Sequence, residues 1–481
     1  MKTEKATTET AEPRPLMGLL KCFGWGVLSL AVAVVIAMTW HRSSMASKLK
    51  DTLAELDRTE PAWRFDDIEA AREDVPEEEN SARVIVTAAR WLPRTWPSAD
   101  FREEEFRLLP PNEKLTDEEF ARLSSVLAIA QPALNAAIKL ANMPRGRHRI
   151  HYERNPILTL LADQQESRRI VNLLVFESMQ QNQKGDSKKA LTACRAALNA
   201  ARSLGDEPIF VSQLIRNAGV VHACQAIERT LAQGEPPLED MSDLQKLLEK
   251  EDSFPGLLIA TRGERASMHQ LFEAIERGEV SLDELKELTG GRERADWVES
   301  TFMSLWHMDT RQEHALYLSL MTRRIKESQL ATQEQAASEK RFDAEVRELP
   351  KNAFVARSLL PAISKIGESF RRKDATLRST IVALAAERYR RDKQTWPDKM
   401  GQLCPQYLAR ELLDPFDGAP LRYRHIKDGI VIYSVGQDRA DNGGNLDREH
   451  PNQPGVDIGV RLWDRAKRRQ PPQAKPLAPN P

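Results

Sequence analysis

Nineteen consecutive residues, Cys22 to Trp40, carry no charge: CFGWGVLSLAVAVVIAMTW. At a helical rise of about 1.5 Å per residue, such a run just spans a hydrocarbon core of roughly 30 Å. Trp25 and Trp40 stand near its ends, where indoles favour the membrane interface, and Lys21 and Arg42 bracket it. Its length exceeds the roughly 7–15 residues of a signal-peptide core, although Ser44-Met45-Ala46 offers a small-x-small cleavage site. The reading is therefore an uncleaved single-span anchor. Lys2, Lys5, Arg14 and Lys21 precede it, and Arg42, Lys48 and Lys50 follow. That slight excess places the short N-terminal tail in the cytoplasm and the rest of the chain outside.

Behind the anchor lie several hundred residues, enough for two or three domains. Lys and Arg number 70 against 71 Asp and Glu, a net charge of -1, which argues against a bulk nucleic-acid binder. Of the four cysteines none forms a C-x-x-C pair, and Cys194 and Cys224 fall on helical patterns as small buried residues.

Residues 41–115 read as a membrane-proximal segment of short helices and loops, including the acidic loop EDVPEEEN at 73–80. From Asp117 a helical period takes over, with segments expected at 116–142 (kinked at Pro132), 155–183, 240–251, 256–277, 292–330 and 353–392. Phe210, Leu214, Ala218, Val221, Cys224, Ile227 and Leu231 recur at steps of three or four and predict one buried stripe. The Gly205-Asp206-Glu207-Pro208 turn makes this helix and the one around Lys188–Leu204 an antiparallel hairpin. No sustained repeat supports a solenoid.

Chemistry is sparse in this helical body, 116–375. His307, Glu313 and His314 form its best metal-like cluster, without the H-E-x-x-H spacing that puts two ligands one turn apart. The Arg262-Gly263-Glu264-Arg265 string reads either as a grip on a substrate carboxylate or phosphate or as a helix-surface ion pair. RGRHRIHYERN, 145–155, reads as a solvated linker or as a contact for an anionic partner.

At 376–464 the pattern changes. A helix ends at Trp396-Pro397; LRYRH and IVIYS flank Lys427-Asp428-Gly429, a hairpin signal; and Val456, Ile458, Val460 and Leu462 alternate as a third strand. The elements Asp414-Pro415-Phe416-Asp417-Gly418 and Tyr433-Ser434-Val435-Gly436 with Asp438, in this order, resemble the C-terminal part of type II secretion major pseudopilins over about 80 residues. The N-terminus departs from that family, since Gly18 is followed by Leu19-Leu20-Lys21 with no glutamate, so filament assembly is not implied. The whole layout is similar to uncharacterised membrane-anchored proteins of planctomycete bacteria. That resemblance implies a cell-envelope location and no activity.

The pseudopilin resemblance implies calcium in the glycine/acid loop, with Asp438 and Asp457 matching the family's acidic ligands and Asp441, Asn442 and Asp447 adding donors. Ala440 and the flanking strands speak against an EF-hand. The other reading is a metal-free turn in which Asp and Asn bond their own backbone. The basic, Pro-rich stretch 465–481 is expected to be a disordered tail.

The expectation is a mainly α protein with a transmembrane helix, a body of helical hairpins and a small antiparallel β unit. It would bind or scaffold an unidentified protein partner at the envelope. The rival is an envelope enzyme using Glu264, Arg265, His307 or His314. A deep pocket lined by those residues would favour the enzyme, and a broad groove without convergent titratable groups would favour binding.

Overall fold

The computed structural model describes residues 16–153, 155–281, 310–349 and 353–473. It is mainly helical, with one three-stranded antiparallel sheet near the C-terminus. The first helix, α1, runs unbroken from Leu16 to Thr59, so the apolar run and the start of the segment expected to hold only short helices and loops are one rod. Trp25, Leu28, Val32, Val35, Ile36 and Trp40 are all exposed on it. Among the described residues no single helix is long and apolar enough to cross a membrane, and the described apolar run is Leu28–Ala37.

Short helices α2 (Phe65–Ala70), α3 (Ser81–Trp91) and α4 (Glu103–Leu108) follow. α5 (Asp117–Ile129) starts with a capping box, Thr116 accepting from the Glu119 N–H and Glu119 from the Thr116 N–H. Pro132 opens α6 (Gln131–Ala137), and the chain bends by 78° there, as a proline in the pattern demands. This bent pair is apolar enough to pass as a broken span, but Leu123, Leu127, Leu134 and Leu140 bury its apolar face in the core.

The main core is built on the three-helix stack α7 (Ala162–Lys184), α8 (Ser187–Arg202) and α9 (Phe210–Gln233). Alanines at 190, 193, 196, 197, 200 and 201 keep α8 thin enough to be buried between its neighbours. α10 (Leu238–Asp252) joins the same core, whereas α11 (Gly256–Glu276), α12 (Thr310–Ser328) and α13 (Thr332–Arg347) build a second one. The 40-residue α14 (Phe354–Lys393) contributes to both. It crosses the 375/376 boundary expected between body and C-terminal unit without a break.

The sheet lies against α14 in the order β1 (Arg422–Ile426), β2 (Gly429–Ser434), β3 (Ile458–Trp463). The hairpin is tighter than the sequence suggested. Ile426 pairs with Gly429, so Lys427-Asp428 makes the turn and the glycine begins the strand. Gly429, at φ 147°, lies so close to β3 that a Cβ there would stand 2.0 Å from the Leu462 carbonyl oxygen.

Asp414 explains why the two sequence elements of this unit travel together. It is fully buried. One carboxylate oxygen accepts from the Phe416 N–H (2.8 Å) and Ser434 Oγ (2.8 Å), the other from the Val435 N–H (2.9 Å) and Arg422 Nη1 (2.9 Å). The D-P-F-x-G turn and the Y-S-x-G strand end are thus two halves of one hydrogen-bonded joint.

Within the stretch expected to be a loose tail, Arg468, Arg469 and Gln470 are packed against the body while 465–467 and 471–473 are exposed, and residues 474–481 lie outside the described residues. Arg468 is buried and forms a double bond-pair with the fully buried Glu387 of α14, at 3.0 and 2.8 Å. Arg390 meets the same carboxylate at 2.9 and 2.7 Å. A charge this deep persists only when paired, and removing one partner strands the others. Glu387→Ala is therefore expected to cost about 3–5 kcal/mol. A thermal melt of the detergent-solubilised chain should show a transition several degrees lower; an unchanged melt would mean that the two arginines find other partners.

Candidate functional site

The apolar face of α9 does not end in the core. Phe210, Cys224, Ile227 and Leu231 are buried as expected, but Leu214 and Val221 are half-buried and Ala218 is exposed. These three lie in a cavity of about 850 Å³, which the chain segment 446–460 after β2, α4, α7 and α14 enclose. Periodicity had grouped the right residues on one face; what covers part of that face is open space.

Polar side chains frame this groove. On one wall Arg107 of α4 donates through Nη2 to Glu103 Oε2 (3.0 Å) and Asn172 Oδ1 (3.1 Å), and Asn172 donates back to Glu103 (3.0 Å). Arg107 Nη1 lies 3.2 Å from His222 Nε2. A guanidinium only donates, so that ring nitrogen accepts and the imidazole is neutral. Burial, then the Arg107 and Arg168 charges, pushes His222 down to about 3. At the end of the groove Arg448 pairs with the buried Glu228, whose other oxygen accepts the Arg461 N–H at 3.0 Å. Glu228 thereby occupies the outer edge of β3, a strand edge that would otherwise invite pairing. Asn217 of α9 also lines the cavity, buried, with its amide nitrogen lacking a hydrogen-bond partner among the described residues.

This arrangement suits holding a ligand better than bond chemistry. The Cys224 thiol is buried and pushed up to about 12, so it stays protonated, and the accepting nitrogen of His222 is spent on Arg107. Four of the five acids that line the groove are engaged too, Glu103 and Glu228 by arginines, Asp447 and Asp457 by N–H groups, and the fifth, Glu104, is exposed.

The residues singled out for an enzyme lie elsewhere. Arg262 Nε (3.0 Å) and Arg265 Nη2 (2.8 Å) both meet Glu60, just beyond the end of α1. The string is therefore an ion-pair clamp between helices. Burial alone pushes the Glu264 carboxyl up to about 7. His314 Nε2 lies 2.9 Å from His269 Nδ1 and its Nδ1 lies 3.0 Å from Glu276, with Phe272 stacked on the ring. Glu313, its neighbour, turns to the start of α14 and accepts the Ala356 N–H at 2.7 Å. His307 lies outside the described residues. Glu264, Arg265 and His314 do not line the groove.

The two charge runs nearer the N-terminus meet each other. Arg145 pairs with Glu73 and Glu79, Arg147 with Glu69, and the Tyr152 hydroxyl donates to Glu69 at 2.8 Å. The basic stretch is thus neutralised by the acidic one.

In the glycine/acid loop the carboxylates act as backbone acceptors. Asp438 takes the N–H groups of Ala440 (3.0 Å) and Gly455 (2.8 Å), and Asp441 those of Gly443 (2.9 Å) and the Tyr433 hydroxyl (2.8 Å). Asp447 takes the N–H groups of Glu449 and His450, and Asp457 that of Gly444 at 2.8 Å. Gly443 and Gly444 supply the positive φ this requires. Among the described residues no three acids, histidines or cysteines gather as a metal ligand set. The donor set fits calcium poorly, because six to eight oxygens must face the ion while these already face N–H groups.

Two expectations follow from the titrating groups and the loop. Burial, opposed by the Ala356 and Val355 N–H groups, pushes Glu313 up to about 7 from an ordinary 4.5. The folded state thus favours the protonated form; this stabilisation is full below about 4.5 and lost as pH rises through about 7. The melting temperature of the native chain, measured relative to that of Glu313→Gln, should fall from pH 5 to pH 8 by the equivalent of roughly 3 kcal/mol. A slope identical in the variant would show that Glu313 does not titrate there. Calorimetric titration with calcium should give no heat and no rise in melting temperature, whereas a calcium-dependent rise abolished by Asp438→Ala/Asp457→Ala would establish the site.

No protein-family model, curated protein or solved structure matches the chain.

Proposed function

We propose that this chain is a membrane-anchored binding or scaffolding protein of a bacterial cell envelope. Its α1 helix crosses the bilayer through residues 22–40, and its helical body lies outside the cytoplasm. The groove beside α9 receives a protein partner. The C-terminal unit, read as an inherited pseudopilin-like module, acts as its wall.

One observation carries the binding reading: an apolar strip, Leu214, Ala218 and Val221, is left open inside a polar frame. Apolar area costs roughly 25 cal/mol per Å² when it stays in water, so an open strip with a fixed polar border favours an occupant. The anchor reading is supported by the uncharged run and by the exposure of its large side chains, Trp25 and Trp40 at 70% and 74%. Against the enzyme, Arg265 is spent on Glu60 and Thr322, and His314 on His269 and Glu276.

A photo-cross-linking residue at Ala218 should capture a discrete partner in intact cells, while the same residue at exposed Lys189 on α8 should not. Protease added to spheroplasts should cut the body. Equal adducts at both positions would refute the groove, and a protected body would refute the orientation.

A further inference from the structure

We propose that the tip of the α12–α13 hairpin, Lys326 to Leu330, rests in the lipid headgroup layer as a second membrane contact beside α1; this rests on the anchor reading above. The geometry comes from the way α12 lies along α1. At its start, His314 meets His269, whose ring packs on Trp63 beyond the end of α1, with centroids 4.7 Å apart. Next, Ala315 and Leu318 share a buried cluster with Leu49, Leu56 and Trp63. Further on, Ser319, Thr322, Arg323 and Lys326 share a cleft of about 680 Å³ with α1 residues from Ser44 to Leu56. α12 therefore runs antiparallel to α1, back towards the apolar run.

The helical rise converts this into depth. With Ala315–Leu318 taken level with Leu56, the middle of the α1 residues in their cluster, Lys326 falls about 12–16 Å lower, near Ser47, at 1.5 Å per residue. Leu330, four residues on, comes down to within about 6 Å of the level of Trp40, where an anchor of this length meets the interface. The residues at that level have the right chemistry. Leu330 is an exposed leucine in a bend, 42% accessible. Lys326 and Lys48 are exposed in the same cleft, and Lys326 has no ion pair among the described residues. A leucine beside two ammonium groups matches the boundary between acyl chains and anionic phosphates. Arg265, paired with Glu60 beyond the end of α1, also donates to Thr322 Oγ1 of α12 at 3.1 Å and so ties the hairpin to that end of α1.

The test places a nitroxide on the full-length chain at Leu330→Cys, and separately at Ala344→Cys, in a Cys22→Ser/Cys404→Ser background. The two remaining cysteines, Cys194 and Cys224, are buried. Ala344 is exposed on α13, about 18 Å further from the tip at 1.5 Å per residue. In phosphatidylcholine–phosphatidylglycerol vesicles the ratio of oxygen to aqueous-nickel accessibility should be several-fold higher at 330 than at 344. Equal ratios in vesicle-bound protein overturn the second contact and leave the anchor standing. Spin–spin broadening at 330 assigns the surface to a second copy of the chain and overturns it as well. Failure of the chain to float with vesicles overturns both readings.

Discussion

The buried carboxylate of Glu387, held by Arg390 and Arg468, is the constraint on which the C-terminal half depends. Three short strands make a poor independent fold, and this sheet borrows its stability from α14. Glu387 fixes where along that helix the chain after β3 must attach. Arg468 also donates to the Trp463 carbonyl at 2.9 Å, so the end of β3 is tied to the same point. With β3 placed, the segment before it is placed too, and Arg448 can reach Glu228 on α9. The groove wall is thus held by two buried acid–arginine contacts rather than by the sheet's own pairing. Hydrophobic side chains there would pack without demanding one register; a paired charge in the interior tolerates only one.

At the other end, charge does a similar job on a helix that sequence alone would treat as a tether. Glu60 takes both Arg262 and Arg265, and Trp63 is completely buried with its indole N–H on Asp57 at 2.8 Å. The connection between apolar run and body is therefore stiff.

Much of the architecture was legible in local pattern. The Pro132 bend, the α10, α11 and α14 boundaries and the alternation of Ile458, Val460 and Leu462 each follow from a few neighbouring residues. What escaped depends on distant partners. Nothing near Arg468 announces Glu387, 81 positions earlier, so a packed segment read as a tail. Arg145 and Glu73 are exposed, as their charge runs suggested, but nothing near either announces that they pair with each other. The groove suffered most: Arg107, Asn172 and Asn217 come from different helices, and no spacing links them. Periodicity told which α9 residues share a face, and it carries no information about whether another element covers that face.

Because α1 has no break over its 44 residues and its far end is clamped, it works as an axle. Each residue of an α-helix turns the chain by about 100° and advances it about 1.5 Å. A single residue inserted between the apolar run and Leu49 would therefore rotate the whole body by more than a quarter turn about the axis of α1, while shifting it by barely an atom's width. The compass bearing of the groove, relative to the apolar run, is written in the count of residues between Trp40 and Glu60.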